Sequence, residues 1–175
     1  MSGEQTLTID SFDNPHHPYD VSKYSSIAEA NVSLNESSNA RQLSVLYVNI
    51  VSLFSNIGEL TRLLSQFDKK PDLIVLSETK ITDKVHSDYN PHIDGYSFKN
   101  MPSKTHFGSA GVFFHNSLDP IFRDDLNCTE KGLYQMLWFD INSQNRKTTF
   151  GILYRHGGNT EIPFFTNRLE KLCAS

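Results

Sequence analysis

Leu43-Ser-Val-Leu-Tyr-Val-Asn49 is followed, after a gap of helix length, by Pro71-Asp-Leu-Ile-Val-Leu-Ser-Glu78-Thr79. In the first stretch both alternating sets of residues are mostly apolar, as in a strand covered on both faces. In the gap, Leu53, Ile57, Leu60, Leu63, Leu64 and Phe67 recur at helical spacing, with Asn56, Glu59, Arg62 and Gln66 on the other side. Ser52 or Ser55 supplies the cap. Strand, crossover helix and strand make a β-α-β unit, whose parallel strands end on the same edge of a sheet. Asn49 and Glu78 then flank one crevice, an amide beside a carboxylate, where a hard cation and a phosphate find ligands.

Downstream the pattern is less regular. Residues 79–91 read as a polar loop with a short helical turn, and Gly95-Tyr-Ser-Phe98 as a short strand. Gly108-Ser-Ala-Gly111 turns into the strand Val112-Phe-Phe-His115, and Ile121-Phe-Arg123 follows a turn at Asn116-Ser117. Tyr134, Met136, Trp138 and Asp140 alternate with Leu133, Leu137, Phe139 and Ile141, and residues 148–154 return as a strand after a hairpin loop at 142–146. A last amphipathic helix carries Ile162, Phe165, Leu169 and Leu172, with Thr160 as its cap. Crossover and hairpin strands occur together, which predicts a mixed sheet in an α+β (α/β layered) fold. Upstream, residues 1–40 are rich in Ser, Asn, Asp and Pro without a sustained period, and read as a mobile leader; His16-His17 has no companion ligand nearby.

Composition narrows the function classes without choosing one. The 175 residues carry a net charge of −4, so there is no general electrostatic footprint for nucleic acid, though a local groove is compatible with it. Cys128 and Cys173 show neither metal-ligand nor disulfide spacing, which suits a reducing compartment. No apolar run spans a bilayer and the N-terminus lacks a signal-peptide core, so the expectation is an intracellular protein, nuclear or cytoplasmic, without a membrane partner. The sequons at Asn31, Asn35 and Asn127 carry little weight for the same reason.

Taken in order, Tyr47-Val-Asn49-Ile-Val-Ser-Leu53, Pro71 to Thr79, Asp94-Gly-Tyr96, Gly108-Ser-Ala-Gly111-Val-Phe-Phe, Trp138 in a strand and Gly151-Ile-Leu-Tyr154-Arg155 resemble the endonuclease/exonuclease/phosphatase superfamily. Within it the likeness is to the abasic-site-endonuclease-like domain of non-LTR retrotransposons, over about residues 41–175. The resemblance implies two mixed β-sheets packed face to face with helices outside and an active site at one edge. It implies that Glu78 is the carboxylate binding a divalent metal, Mg²⁺ or alternatively Mn²⁺. By the same resemblance Asn49 supports the metal and phosphate network, Tyr154 reaches the scissile phosphate and Arg155 contacts DNA phosphate. The implied reaction is phosphodiester hydrolysis. The family's histidine lies at the far C-terminal end of its domain, so His156 reads as a surface-loop residue.

The departures are specific. Val51 stands where an Arg is common after Asn-Ile, and His156-Gly157 replaces a Pro pair. The Gly-Asp-Phe-Asn strand end and the Ser-Asp-His that bring the family's water-orienting and phosphorane-stabilising residues do not occur in this sequence. The resulting expectation is the N-terminal portion of such a domain, truncated and weakly active or inactive alone. A second expectation is a non-catalytic interaction protein that self-associates through an exposed sheet; a third is another phosphatase or phosphodiesterase of the superfamily. If residues 41–175 provide mainly one layer of the sandwich, its inner apolar face is left without a partner.

Overall fold

A computed structural model describes residues 7–11, 20–24, 26–36, 43–84, 88–105, 108–143 and 146–156. At its centre lie β3 (Val45–Asn49) and β4 (Leu73–Ser77), parallel and in register from Val45 opposite Leu73 to Asn49 opposite Ser77. The crossover between them is α2 (Leu53–Leu64), whose Leu53, Leu60 and Leu64 are buried. Ser52 caps it, its side chain accepting from the Ser55 N–H at 3.4 Å.

The strands on either side of this pair run antiparallel to it, so the sheet is mixed. Its order is β2-β1-β3-β4-β6-β5, with β1 at Leu7–Ser11, β2 at Asp20–Tyr24, β5 at Tyr96–Met101 and β6 at Ala110–His115. A second, antiparallel sheet joins β7 (Ile121–Phe122), β8 (Cys128–Glu130), β9 (Tyr134–Ser143) and β10 (Arg146–Arg155), with β9 bonded to each of the other three.

Strand alternation sends side chains into two separate cores. Ile74 and Leu76 of β4 and Phe113 of β6 face the helices, where they pack with Leu46, Leu60, Leu64 and Phe67. Leu73, Ala110 and Val112 face the other way and meet Leu137, Phe139, Ile141 and Ile152 of the second sheet. The architecture is therefore an α+β sandwich of two sheets with helices on one outer face. The inner face of the first sheet, which the sequence left without a partner, is covered by β9 and β10.

Residues 7–36, read above as part of a leader, carry β1, β2 and α1 (Ile27–Glu36) in this structure. Ala30 and Leu34 are buried in the helix-side core, and Ile27 packs against it. Asn31 bonds the end of α2 twice: its amide donates to Gln66 O at 2.9 Å and its Oδ1 accepts from Asp68 N at 3.1 Å. The apolar stripe of α1 is one residue wide per turn, too narrow to stand out in a polar stretch. The expected C-terminal helix, His16-His17 and Cys173 lie outside the described residues; Cys128 is a half-buried free thiol. Among the described residues no helix is long and apolar enough to cross a membrane.

Candidate active site

Parallel pairing of β3 and β4 continues past the strands. Ile50 N–H donates to Ser77 O (3.0 Å), Ser52 N–H to Glu78 O (2.8 Å) and Leu53 N–H to Thr79 O (3.0 Å). This lacing fixes Asn49 beside Glu78, and the Asn49 Nδ2 donates to Glu78 Oε1 at 3.2 Å. The backbone here is unusual for residues other than glycine: φ is +46° at Val51, +99° at Ser52, +57° at Glu78, +57° at Lys80 and +80° at Ser109. Left-handed conformations of this kind cost free energy and persist only where the surroundings over-determine them, which is common at functional sites.

The opposite wall comes from the second sheet. Tyr154 on β10 packs at the rim of the inter-sheet core, with its ring against Gly108. Burial raises the Tyr154 phenol above its ordinary value, and the Glu78 carboxylate and then Tyr47 add to the shift, so the three side chains share one electrostatic neighbourhood. Tyr47 is held by its hydroxyl, 2.8 Å from Ser77 Oγ.

Beneath this crevice lies a buried polar network. The hydroxyls of Thr79 and Ser109 are hydrogen-bonded to each other, and Asn100 Oδ1 accepts from Thr79 Oγ1 (2.9 Å) and Ser109 Oγ (3.2 Å). The Ser109 N–H donates to Gln135 Oε1 at 3.2 Å, carrying the network into the second sheet. Gln135 Nε2 lies 3.0 Å from His156 Nε2 and 3.4 Å from Ser103 Oγ. The network ties the Glu78 loop to the tyrosine strand.

Of the residues singled out from sequence, the structure brings Asn49 and Glu78 into hydrogen-bond contact and Tyr154 within electrostatic reach of Glu78. Arg155 is exposed, and strand alternation directs it to the other face of the sheet from Tyr154. Val51 is exposed in the turn after β3. His156 is half-buried and hydrogen-bonded rather than a free loop residue, and burial lowers its pKa below the ordinary imidazole value. Tyr47, Thr79 and Ser109 stand in the motifs quoted above without an assigned role, and Gln135 is not among the residues singled out there. A glutamine among the apolar residues of a strand such as 133–141 is the one signal that marks any of them, since a buried amide needs partners.

A divalent cation fits the donor set in one way. Glu78 is a half-buried carboxylate at an open crevice with one oxygen engaged by Asn49, and Mg²⁺ is typically held by one or two carboxylates with water and substrate phosphate completing its shell. No group of three His, Cys, Asp or Glu side chains converges among the described residues.

No protein-family profile matches the chain, and no curated protein does. Among solved structures it is similar to the Xenopus laevis APE2 catalytic domain, with a TM-score of 0.46 and 16% identity, covering 71% of this chain and 48% of that one. It is likewise similar to a variant of the 3′ phosphatase NExo from Neisseria bound to a product DNA hairpin, with a TM-score of 0.45 and 17% identity, covering 74% and 48%. The chain thus spans about half the length of these structures.

Proposed function

We propose that this chain carries the metal-binding half of a Mg²⁺-dependent phosphodiesterase site of the endonuclease/exonuclease/phosphatase type, acting on DNA and resembling the retrotransposon endonucleases. The observation that carries the reading is the Asn49–Glu78 pair at 3.2 Å, faced by Tyr154 across the mouth of the sandwich. In this reading Glu78 is the metal ligand, and Asn49 fixes its rotamer so that the second oxygen faces the crevice. Tyr154, kept protonated by its surroundings, donates its O–H to a phosphate oxygen. Mg²⁺, when bound, offsets the negative charge that develops on the phosphoryl group. Arg155 is assigned to DNA phosphate further along the duplex.

The sequence carries no Gly-Asp-Phe-Asn or Ser-Asp-His segment. Catalytic groups act as a unit, so the 175-residue chain by itself is expected to cleave orders of magnitude more slowly than a site with a water-activating base. Supercoiled-plasmid nicking with Mg²⁺, run beside Glu78→Ala, tests both parts. Weak nicking that vanishes in Glu78→Ala fits the proposal; nicking unchanged by Glu78→Ala defeats the metal assignment, and robust Glu78-dependent nicking defeats the expectation of low activity. A 3′-phosphorylated oligonucleotide in the same preparation separates a phosphatase from an endonuclease.

A second reading, a binding surface that associates with itself, is favoured by the exposed Ile121 (51%) and Leu153 (40%) on the second sheet. Light scattering after size-exclusion chromatography decides it: a dimer that Leu153→Lys and Ile121→Lys dissociate supports it, and a monomer across the micromolar range removes it.

A further inference from the structure

Gln135 is completely buried, and it stands directly opposite Tyr154 in the β9–β10 ladder. Its orientation follows from elementary donor and acceptor accounting. A backbone N–H only donates, so the Ser109 N–H at 3.2 Å fixes Oε1 on that side and turns Nε2 toward Ser103 Oγ and His156 Nε2. An amide nitrogen also only donates, so His156 Nε2 must be the acceptor. The imidazole is then neutral with its proton on Nδ1, the tautomer less favoured in water. Protonating Nε2 would set two donors face to face at 3.0 Å.

The ring so fixed is in contact with the tyrosine. The imidazole meets the Tyr154 ring edge-on, with centroids 5.1 Å apart at 86°. His156 itself is tied to the start of β9 through its N–H to Leu133 O at 2.9 Å. Gly108 presses on both rings from the other side: a Cβ there would lie 2.6 Å from Tyr154 Cε1 and 3.0 Å from His156 Cε1. The Ser109 carbonyl accepts from Thr79 N–H at 3.3 Å, next in sequence to Glu78. One continuous set of bonds thus runs from the Glu78 turn, through Ser109 and Gln135, to the ring against Tyr154.

We propose that Gln135 and His156 form a positioning pair for Tyr154. They hold its ring over the Glu78 crevice by locking His156 in the Nδ1–H tautomer; that this serves a reaction rests on the phosphodiesterase reading above. His156 is a neutral wedge in this arrangement and transfers no proton. Because Gln135 also accepts from the Ser109 N–H, one amide ties the loop bonded to the Glu78 turn in the first sheet to the ring that holds the tyrosine in the second.

The test uses NMR of the whole chain and needs no substrate. Imidazole ¹⁵N shifts report the His156 tautomer, and ¹³Cζ-labelled tyrosine, assigned with Tyr154→Phe, reports the phenol. The wild-type chain is expected to show Nδ1–H at His156, lost in Gln135→Leu. His156→Phe keeps an aromatic edge but no acceptor and is expected to shift the Tyr154 signal, and His156→Gln, which restores an acceptor, to return it toward wild type. An Nε2–H tautomer in the wild type overturns the proposal, as does a Tyr154 signal that His156→Phe leaves in place. If Gln135→Leu fails to fold, the two His156 variants at their half-buried position decide. Mn²⁺ titration separates the two claims: absence of Glu78-dependent cation binding defeats the phosphodiesterase reading and leaves these resonances untouched, whereas a Tyr154 signal that His156→Phe leaves in place defeats the positioning role alone.

Discussion

The side-chain amide of Asn49 donates to Glu78 Oε1 at 3.2 Å across the ends of two parallel strands that are 28 residues apart at their C-termini, from Asn49 to Ser77. Neither residue is in the core, and their partnership follows from strand register and from the backbone bonds that lace residues 50–53 to 77–79.

On the proposed metal-binding reading, Asn49→Ala is expected to weaken cation affinity and to act little on folding. Groups that orient a metal ligand typically change metal affinity by about 10- to 100-fold when removed. Isothermal titration of Mn²⁺ should show weakening of that order in Asn49→Ala and no binding at this site in Glu78→Ala, with urea midpoints close to wild type in both.

Gly108 has φ +87°, and a Cβ at that position would stand 2.6 Å from the Tyr154 ring. Gly108→Ala is expected to cost roughly 1–3 kcal/mol, from backbone strain and overpacking together. Equilibrium urea unfolding gives the cost, and an unchanged midpoint would remove the close approach of Gly108 to Tyr154.

Trp138 is the single tryptophan of the chain and lies over its cross-strand neighbour Gly151, where a Cβ would come within 2.5 Å of the indole. Gly151→Ala should displace the indole toward solvent. The emission maximum of Trp138 is expected to shift to the red, with a loss of stability of roughly 1–3 kcal/mol in thermal or urea unfolding. Retained emission and stability would count against the stacking.

Asp140 is buried in the second sheet, with Lys147 Nζ at 2.8 Å, Thr149 Oγ1 donating at 2.7 Å and Arg123 at 3.6 Å. The bonds from Lys147 and then Thr149 hold its carboxyl below the usual carboxylate range. Its folded pKa is depressed, so its stabilising contribution is fully present above the unfolded value of about 3.9 and is lost as pH falls through the lower folded value. Wild type should lose stability across that acid window, and Asp140→Asn should be less stable at neutral pH but flatter below about pH 4. Parallel slopes in the two proteins would show that another carboxyl carries the acid transition.

Leu34 in α1 is 6% exposed in the helix-side core. Leu34→Ala is expected to destabilise the chain by about 2–5 kcal/mol, the usual cost of a leucine-sized cavity. A mobile leader would tolerate the change without any shift in the unfolding midpoint.

Much of the fold is legible in the residues. The doubly apolar strands at Val45–Asn49 and Leu73–Ser77, with the 3.6-residue period between them, specify the crossover unit and the mixed, layered α+β fold around it. The elements before residue 40 are not legible, because β1 (Leu-Thr-Ile-Asp-Ser) and β2 (Asp-Val-Ser-Lys-Tyr) carry few apolar residues and α1 shows a narrow stripe. Such elements gain their stability from the sheet and core they join rather than from local propensity.

At the crevice the division is sharper. Sequence alone brings the strand ends that carry Asn49 and Glu78 to one edge of a sheet, because a helical crossover returns the chain to a parallel strand, and the observed register then pairs them. Only the packing of the second sheet on the first decides that Tyr154 faces them, that Arg155 does not, and that Gln135 and His156 lie behind the tyrosine. Those contacts join residues tens of positions apart through the register of β9 on β10 and the left-handed turns at Glu78 and Ser109. Neither has a local sequence signature, since non-glycine residues reach such φ values only when distant packing holds them there.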